Sequence, residues 1–161
     1  MGTSIGAAID YLVAALPALV VVADSTAVVA DNYPTVSSQS MVFIGRSDPE
    51  NAIGGDGSQM IVALGAGRRE EDYIIPCFVS VYRTGPAQKP SRDAALAIFD
   101  VVARLVATDM TFGGLLQMGR RAAIQSFQLV QTRDSEDTGA SGSMRLALVV
   151  FNIRILNSYT P

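Results

Sequence analysis

Residues 71–109 read EDYIIPCFVSVYRTGPAQKPSRDAALAIFDVVARLVATD. The stretch divides into a long strand, a polar connection and the strongest helix in the chain. From Tyr73 to Tyr82 nearly every side chain is apolar, β-branched or aromatic. Alternation puts Tyr73, Ile75, Cys77, Val79 and Val81 on one face and Ile74, Phe78 and Tyr82 on the other. A strand apolar on both faces is expected to be covered on both, at least in part. Gly85, Pro86 and Pro90 mark its end. Ser91 is the expected N-cap of the following helix, with Asp93 in the first turn, where a negative charge suits the helix dipole. Ala95, Ile98, Val102 and Leu105 recur at helical spacing, and Asp100 and Arg104 lie one turn apart on the opposite side. The simplest way to bury both stripes is to lay the helix back on the sheet that holds the strand.

Toward the N-terminus, Thr3 or Ser4 is placed to cap a helix through Leu16, with Ile5, Ala8, Leu12, Ala15 and Leu16 as its stripe. Pro17 is expected to break or kink it, and Ala18 to Ala23 reads equally as a last turn or a strand. The apolar run from Tyr11 to Ala23 is shorter than the ~18–20 residues of a membrane span. No Lys or Arg precedes Arg46, whereas a signal peptide wants a basic start. The run is therefore read as buried, in a chain made and folded in a cytoplasm.

Short strands are expected at Thr26–Ala30, Ser40–Gly45 and Gln59–Gly65. Arg46 to Ser58, RSDPENAIGGDGS, reads as an exposed loop. Its glycines and carboxylates lack the spacing of a calcium loop, and Gly54-Gly55 is not followed by the Lys and Ser/Thr of a phosphate loop. The charges Arg68, Arg69, Glu70, Glu71 and Asp72 suit a solvated rim or a contact between subunits, the rim being the preferred reading. Beyond the second helix, Thr111 to Gly119 is a linker, Ala122 to Arg133 a strand, Asp134 to Ser143 a loop, and Met144 to Leu156 a long central strand, antiparallel to the one before it. The tail NSYTP is expected to be exposed. Strands cluster rather than alternate with helices. The class is α+β: a mixed, largely antiparallel sheet of about five strands with two main helices packed on it, in one domain spanning 1–161.

Composition bounds the chemistry. The chain has 161 residues, no His and one Cys, so internal disulfides and Ser-His-Asp or Cys-His arrangements are excluded. Cys77 has no histidine to activate it and reads as a small core residue. No metal-ligand, catalytic or cofactor motif is found; Gly65-Ala66-Gly67 lacks the third Gly of a dinucleotide loop. A net charge of −3, with eleven Arg and one Lys scattered in sequence, argues against a grip on nucleic-acid phosphates. Charged residues are 17%, below the usual share of about 25%. Such a surface suits a protomer that covers part of itself with neighbours. Tyr73, Tyr82, Arg83 and Asp100 are the polar residues nearest the core elements. Each reads better as a strand aromatic or a surface charge than as part of a pocket.

Taken together, the pattern resembles the tail terminator proteins of long-tailed (siphovirus-type) bacteriophages. The features are the ALPAL helix, the strand and turn TAVVADNYP, SMVFIG before a loop, EEDYIIPCFVSVYRTG running into SRDAALAIFDVVARLVATD, the linker FGGLLQMG, and a final long strand MRLALVVFNIRI. The Arg-Asp-Ala-Ala start of the second helix is the most telling part. The resemblance implies a structural virion protein rather than an enzyme, forming a hexameric ring at the head-proximal end of the tail tube. Such a ring ends tube polymerisation and contacts the tube protein on one side and a head–tail connector or stopper on the other. Genomic DNA passes through its lumen without specific binding. No cofactor and no membrane are implied, and assembly takes place in the host cytoplasm. A head–tail stopper of the same particle, and a cytoplasmic small-ligand-binding α+β domain, are the alternatives. The loops Arg46–Ser58 and Asp134–Ser143 are the expected contact loops.

Overall fold

In chain order the elements are α1 (Ile5–Ala23), β1 (Ala27–Asp31), β2 (Ser40–Ile44), β3 (Asp56–Ile61), β4 (Arg69–Thr84), α2 (Lys89–Thr108), β5 (Ala122–Arg133) and β6 (Met144–Tyr159). The structure, a computed structural model, describes residues 4–31, 38–46, 56–61, 69–116, 121–133 and 144–159. The fold is α+β, with both helices on one mixed, mostly antiparallel sheet. The expected loop at residues 134–143, and residues 62–65 of the expected third strand, lie outside the described residues.

The sheet is built on β4 and β6, which pair antiparallel along their full lengths from Arg69↔Tyr159 to Thr84↔Met144. The strand order is β1-β2-β4-β6-β5, and β3 also pairs with β4. β1 and β2 are parallel; every other pairing is antiparallel. β2 takes Cys77–Val81 of β4 and β3 takes Arg69–Ile74, so the two share one side of that strand and meet at a seam. Pro76 lies at the seam. Its carbonyl accepts from the Arg46 N–H at 2.8 Å on that side. A strand residue's N–H and C=O point the same way, so the donor that proline lacks falls where no strand is paired.

The helices cover one sheet face. Leu12, Leu16 and Val20 of α1, and Ile98, Val102 and Val106 of α2, are buried against Val42, Ile44, the odd residues Tyr73–Val81 of β4 and Ala147–Ile155 of β6. The opposite face carries a smaller cluster of Ala30, Met41, Phe43 and Phe78, with Leu148 and Val150 beside it. The Phe43 and Phe78 rings stack at 4.3 Å, and the Arg46 guanidinium lies 5.7 Å from the Phe43 ring centre. Phe78 is thus buried on the face away from the helices, as a strand apolar on both sides requires.

Several boundaries differ from the sequence reading. α1 runs through Pro17 to Ala23. Pro17 is on the exposed side, and the next buried stripe residue, Val20, continues the register of Leu12 and Leu16 into the core. Packing of that last turn outweighs the lost hydrogen bond. α2 begins at Lys89 with Gln88 as N-cap, so Pro90 occupies its first turn, where proline costs no hydrogen bond. Ser91 is buried inside the helix, its hydroxyl donating to the Gln88 carbonyl at 2.9 Å. Asp93 is correspondingly past the first turn and pairs with Lys89 at 2.5 Å. The buried stripe ends on Val106 rather than Leu105. Residues 56–58, read as loop, are the first of β3, and β6 continues to Tyr159, which brings Asn157 into the core. A bulge between Ile124 and Ser126 shifts the parity of β5, so Phe127 and Leu129 share the helix face with Ala122 and Ile124.

Ile98 is fully buried between α2 and the sheet. Ile98→Ala is expected to destabilise the fold by about 2–5 kcal/mol, the usual cost of truncating a core Ile. Urea unfolding checks this; a cost below about 1 kcal/mol would show that α2 does not pack as described.

Candidate functional site

Polar side chains are buried at both ends of α1, and each group has a structural explanation. At the N-terminal end, the Glu71 carboxylate accepts from the Ser4 backbone N–H at 3.2 Å and from the Ser4 hydroxyl at 2.5 Å. The Ser4 oxygen also lies 2.9 Å from the Tyr73 hydroxyl and accepts from the Asn157 amide at 3.1 Å. Glu71 is 2% exposed. Ser4 is the N-cap residue but makes no cap bond with its own side chain. A carboxylate from β4 instead meets the positive end of the helix, satisfying donors that a helix start leaves open. Burial, with the Glu71 charge adding to it against the Ser4 hydrogen bond, pushes the Tyr73 phenol up to about 12. The sequence reading of Glu71 as a rim charge is therefore corrected. Its parity with Tyr73 and Ile75 was the signal that it faces inward.

At the other end of α1, Asp24 accepts from the Thr26 N–H at 2.9 Å, the Thr26 hydroxyl at 2.7 Å and the Ser40 hydroxyl at 2.5 Å, and pairs with Arg83. Arg83 also donates to Ser40 at 3.1 Å. This cluster ties α1 to β1, β2 and β4. Burial opposes the Asp24 charge, but the hydrogen bonds from Ser40, Thr26 and Arg83 outweigh it and hold the carboxyl at about 2.

A third lock joins the two helices. The Tyr11 hydroxyl donates to Asp109 at 2.5 Å, and the Tyr11 ring stacks on Phe112 at 4.9 Å. Burial, reinforced by Asp109, pushes the Tyr11 phenol up to about 12. The same carboxylate accepts from the Gly113 N–H at 2.8 Å. Gly113 has φ +67, a left-handed backbone conformation that favours glycine, while a Cβ there would stand 3.4 Å from the Tyr11 ring, an ordinary contact.

The residues singled out in the sequence do not converge. Tyr73 belongs to the cluster at one end of α1 and Arg83 to the one at the other, about 33 Å apart along an extended strand. Tyr82 is partly exposed on the face away from the helices, and Asp100 is exposed on α2. Cys77 is fully buried, and burial pushes its thiol up to about 12. A thiol held there is not a nucleophile. Among the described residues no three acidic or thiol side chains come together as a metal site would need.

The features that stand out are surfaces. α1 has one charged residue, Asp10, and only its inward stripe is buried. Its outward side exposes Leu19, Val21 and Val22, the last at 85%. A helix apolar all round is normally covered all round. By length and hydropathy α1 could also cross a bilayer, yet its buried stripe is committed to the sheet. On the opposite flank, α2 and the edge strand β5 enclose an open apolar hollow of about 260 Å³, with Ala103, Ala107 and Met110 on one wall and Ala122, Ala123 and Ile124 on the other. Farther along that flank Phe127 is 62% exposed, its ring 5.0 Å from Phe99. A second hollow, of about 220 Å³, sets Arg121 and Gln125 beside Arg154, whose guanidinium is already paired with Asp72 at 2.6 Å. Both hollows fall below the roughly 300–1,000 Å³ of small-molecule sites.

Two outcomes check the buried clusters. Glu71→Ala is expected to cost about 1–3 kcal/mol, because it strands the Ser4 donors, and Glu71→Gln less, because the amide oxygen still accepts. A neutral Glu71→Ala in urea unfolding would remove the capping role. Asp24 has its carboxyl lowered from 3.8 to about 2 by folding. Its contribution is therefore complete above pH ~4 and is lost as pH falls toward ~2. Asp24→Asn is expected to lower stability at pH 7 and to flatten the loss between those values; an unchanged pH profile would contradict it. No protein-family model matches this chain, and no curated protein matches it.

Proposed function

We propose that this chain is the subunit of a ring at the head-proximal end of a long phage tail, where it stops growth of the tail tube and joins tail to head. The observation that carries the reading is the pair of uncovered apolar flanks, α1's outward side and the α2–β5 hollow, on a protomer whose Glu71 and Asp24 clusters are engaged in holding the fold. Surfaces of this kind suit contact with other subunits. The element order and the quoted stretches that resemble tail terminators support the specific role, and the α+β fold with a long two-strand spine agrees with them. Two flanks on opposite sides of one protomer suit repeated head-to-tail contacts, which close into a ring when the rotation per subunit permits. A closed ring presents no further site for the tube to extend. The net charge of −3 suits a lumen that lets DNA slide through, since carboxylates repel phosphates. The partners of this reading are further copies of the chain, the tail tube protein and a head–tail connector protein.

The test is assembly of particles without this protein. Tails are then expected to be overlong in negative-stain images. Tails of normal length beside full heads that leak DNA would replace termination with the stopper role. Thermal stabilisation by a small metabolite, in a protein that joins no particle, would favour a ligand-binding domain instead.

A further inference from the structure

We infer that the open edge of β5 pairs with the β1 edge of the next copy, so that the sheet continues from one protomer into its neighbour. This rests on the ring reading and names the backbone that builds the ring. β5 ends the sheet, yet from Ala122 to Thr132 it carries no charge and no proline. Edge strands left to water usually carry such residues, because they discourage the addition of a further strand. At the start of β5 the edge is closed: the Ala122 N–H, turned outward, donates to the Met110 carbonyl at 2.9 Å. Beyond the bulge it is open. The Leu156 N–H donates to the Arg121 carbonyl at 3.2 Å, which turns the even residues of β6 toward β5. Their partners there are Ser126, Gln128 and Val130, so the N–H and C=O of Phe127, Leu129 and Gln131 point outward. The β1 edge is open in the same way. The Tyr82 N–H donates to the Gln39 carbonyl at 2.7 Å, which turns Ser40, Val42 and Ile44 toward β1. Val28 and Ala30 answer them, and Val29 and Asp31 point outward.

The two open stretches match in height, face and direction. Val29, Val42, Val79, Val149 and Leu129 form one row across the five strands, on the helix side of the sheet. A neighbour set alongside at the same height continues the row, placing its Val29 opposite Leu129, its Asp31 opposite Phe127 and its Ala27 opposite Gln131. β1 runs against β4 and β5 runs with it, so the two edges meet antiparallel. In this register outward-pointing groups oppose each other and both helix faces stay on one side. A slip of one residue spoils both. α1 lies over β1 and runs the length of the sheet, so the neighbour's α1 arrives beside α2, over the row that holds Phe127, whose ring is 62% exposed in the lone protomer. Two unlike edges on opposite sides of one molecule form a heterologous contact, which propagates, rather than a two-fold one, which stops at a dimer.

The test is disulfide trapping in the full chain carrying Val28→Cys and Val130→Cys together. In the register above these residues oppose each other without hydrogen bonds, with Cα atoms about 4.5 Å apart, inside the span a disulfide bridges. Both are half-buried, and the native Cys77 is buried and does not react. Mild oxidation is expected to give a ladder of covalent multimers from the double variant and protomer mass from each single variant. Val28→Cys with Leu129→Cys, which puts the thiols on opposite faces, is expected to give no ladder; an equal ladder from that pair overturns the register. Dimers from Val28→Cys alone or Val130→Cys alone would mean that like edges meet, which overturns the proposal. No ladder from a protein whose mass in solution is still multimeric would overturn this contact and leave the ring reading standing. An intact ladder from a protein whose absence leaves tails normal would do the reverse, and a strictly monomeric wild type overturns both. As a second variant, Gln131→Pro removes an outward N–H that β6 does not use, a place where an edge strand tolerates proline. It is expected to reduce the assembly to protomers with no loss in unfolding midpoint; an unchanged mass overturns the contact.

Discussion

The ladder between β4 and β6 is the constraint on which the other elements depend. Each strand has 16 residues, and they pair from end to end. A two-stranded ribbon of this length is not stable alone in water. It becomes so because its odd-numbered side chains form one apolar face that two helices cover, while Phe43, Phe78, Leu148 and Val150 cover one another on the reverse. The same ladder places the polar clamps. Glu71 and Asn157, opposite each other in register, meet the start of α1, and Arg83 meets its end. Near the other end of the ladder, Arg145 donates to the Gly85 and Pro86 carbonyls and Gln88 to the Leu146 carbonyl, which fixes the entry to α2. Slipping the register by one residue would turn every one of these groups to the wrong face.

Much of this was legible in the residues. The two-faced apolar run at 73–82, the helical stripe from Ala95 to Val102 and the long final strand each impose a periodicity that only one kind of element satisfies. The misreadings share a cause, which is tertiary context outweighing a local signal. Pro17 looks like a stop, but Val20 has a core position waiting. Glu71 sits between two other acids and looks solvated, although its spacing from Tyr73 puts it on the inner face. Residues 56–58 carry Asp, Gly and Ser and look like a loop, yet β4 offers them a free edge. The parallel pairing of β1 and β2, and the bulge before Ser126, leave no mark in composition at all.

The surfaces were less legible than the fold. Composition announced a deficit of charge without saying where it lay. Among the described residues it falls on the outer side of α1 and along β5, two flanks separated by the width of the sheet. Meanwhile the groups that might have suggested chemistry are spoken for: Cys77 is sealed in the core, Tyr73 and Tyr11 are hydrogen-bonded phenols held in the neutral form by burial, and Asp24 and Asp72 face arginines. On the reading proposed here, function rests on shape and apolar contact.

The account's central claim is that copies of this chain join head to tail into a closed assembly. Native mass spectrometry of the purified protein across a range of concentrations tests it most directly. The expected result is one dominant species at a fixed multiple of the 17.0 kDa protomer, six by the reading proposed here, with no open-ended series beyond it. A strict monomer, or a dimer that grows no further at any concentration, would contradict it.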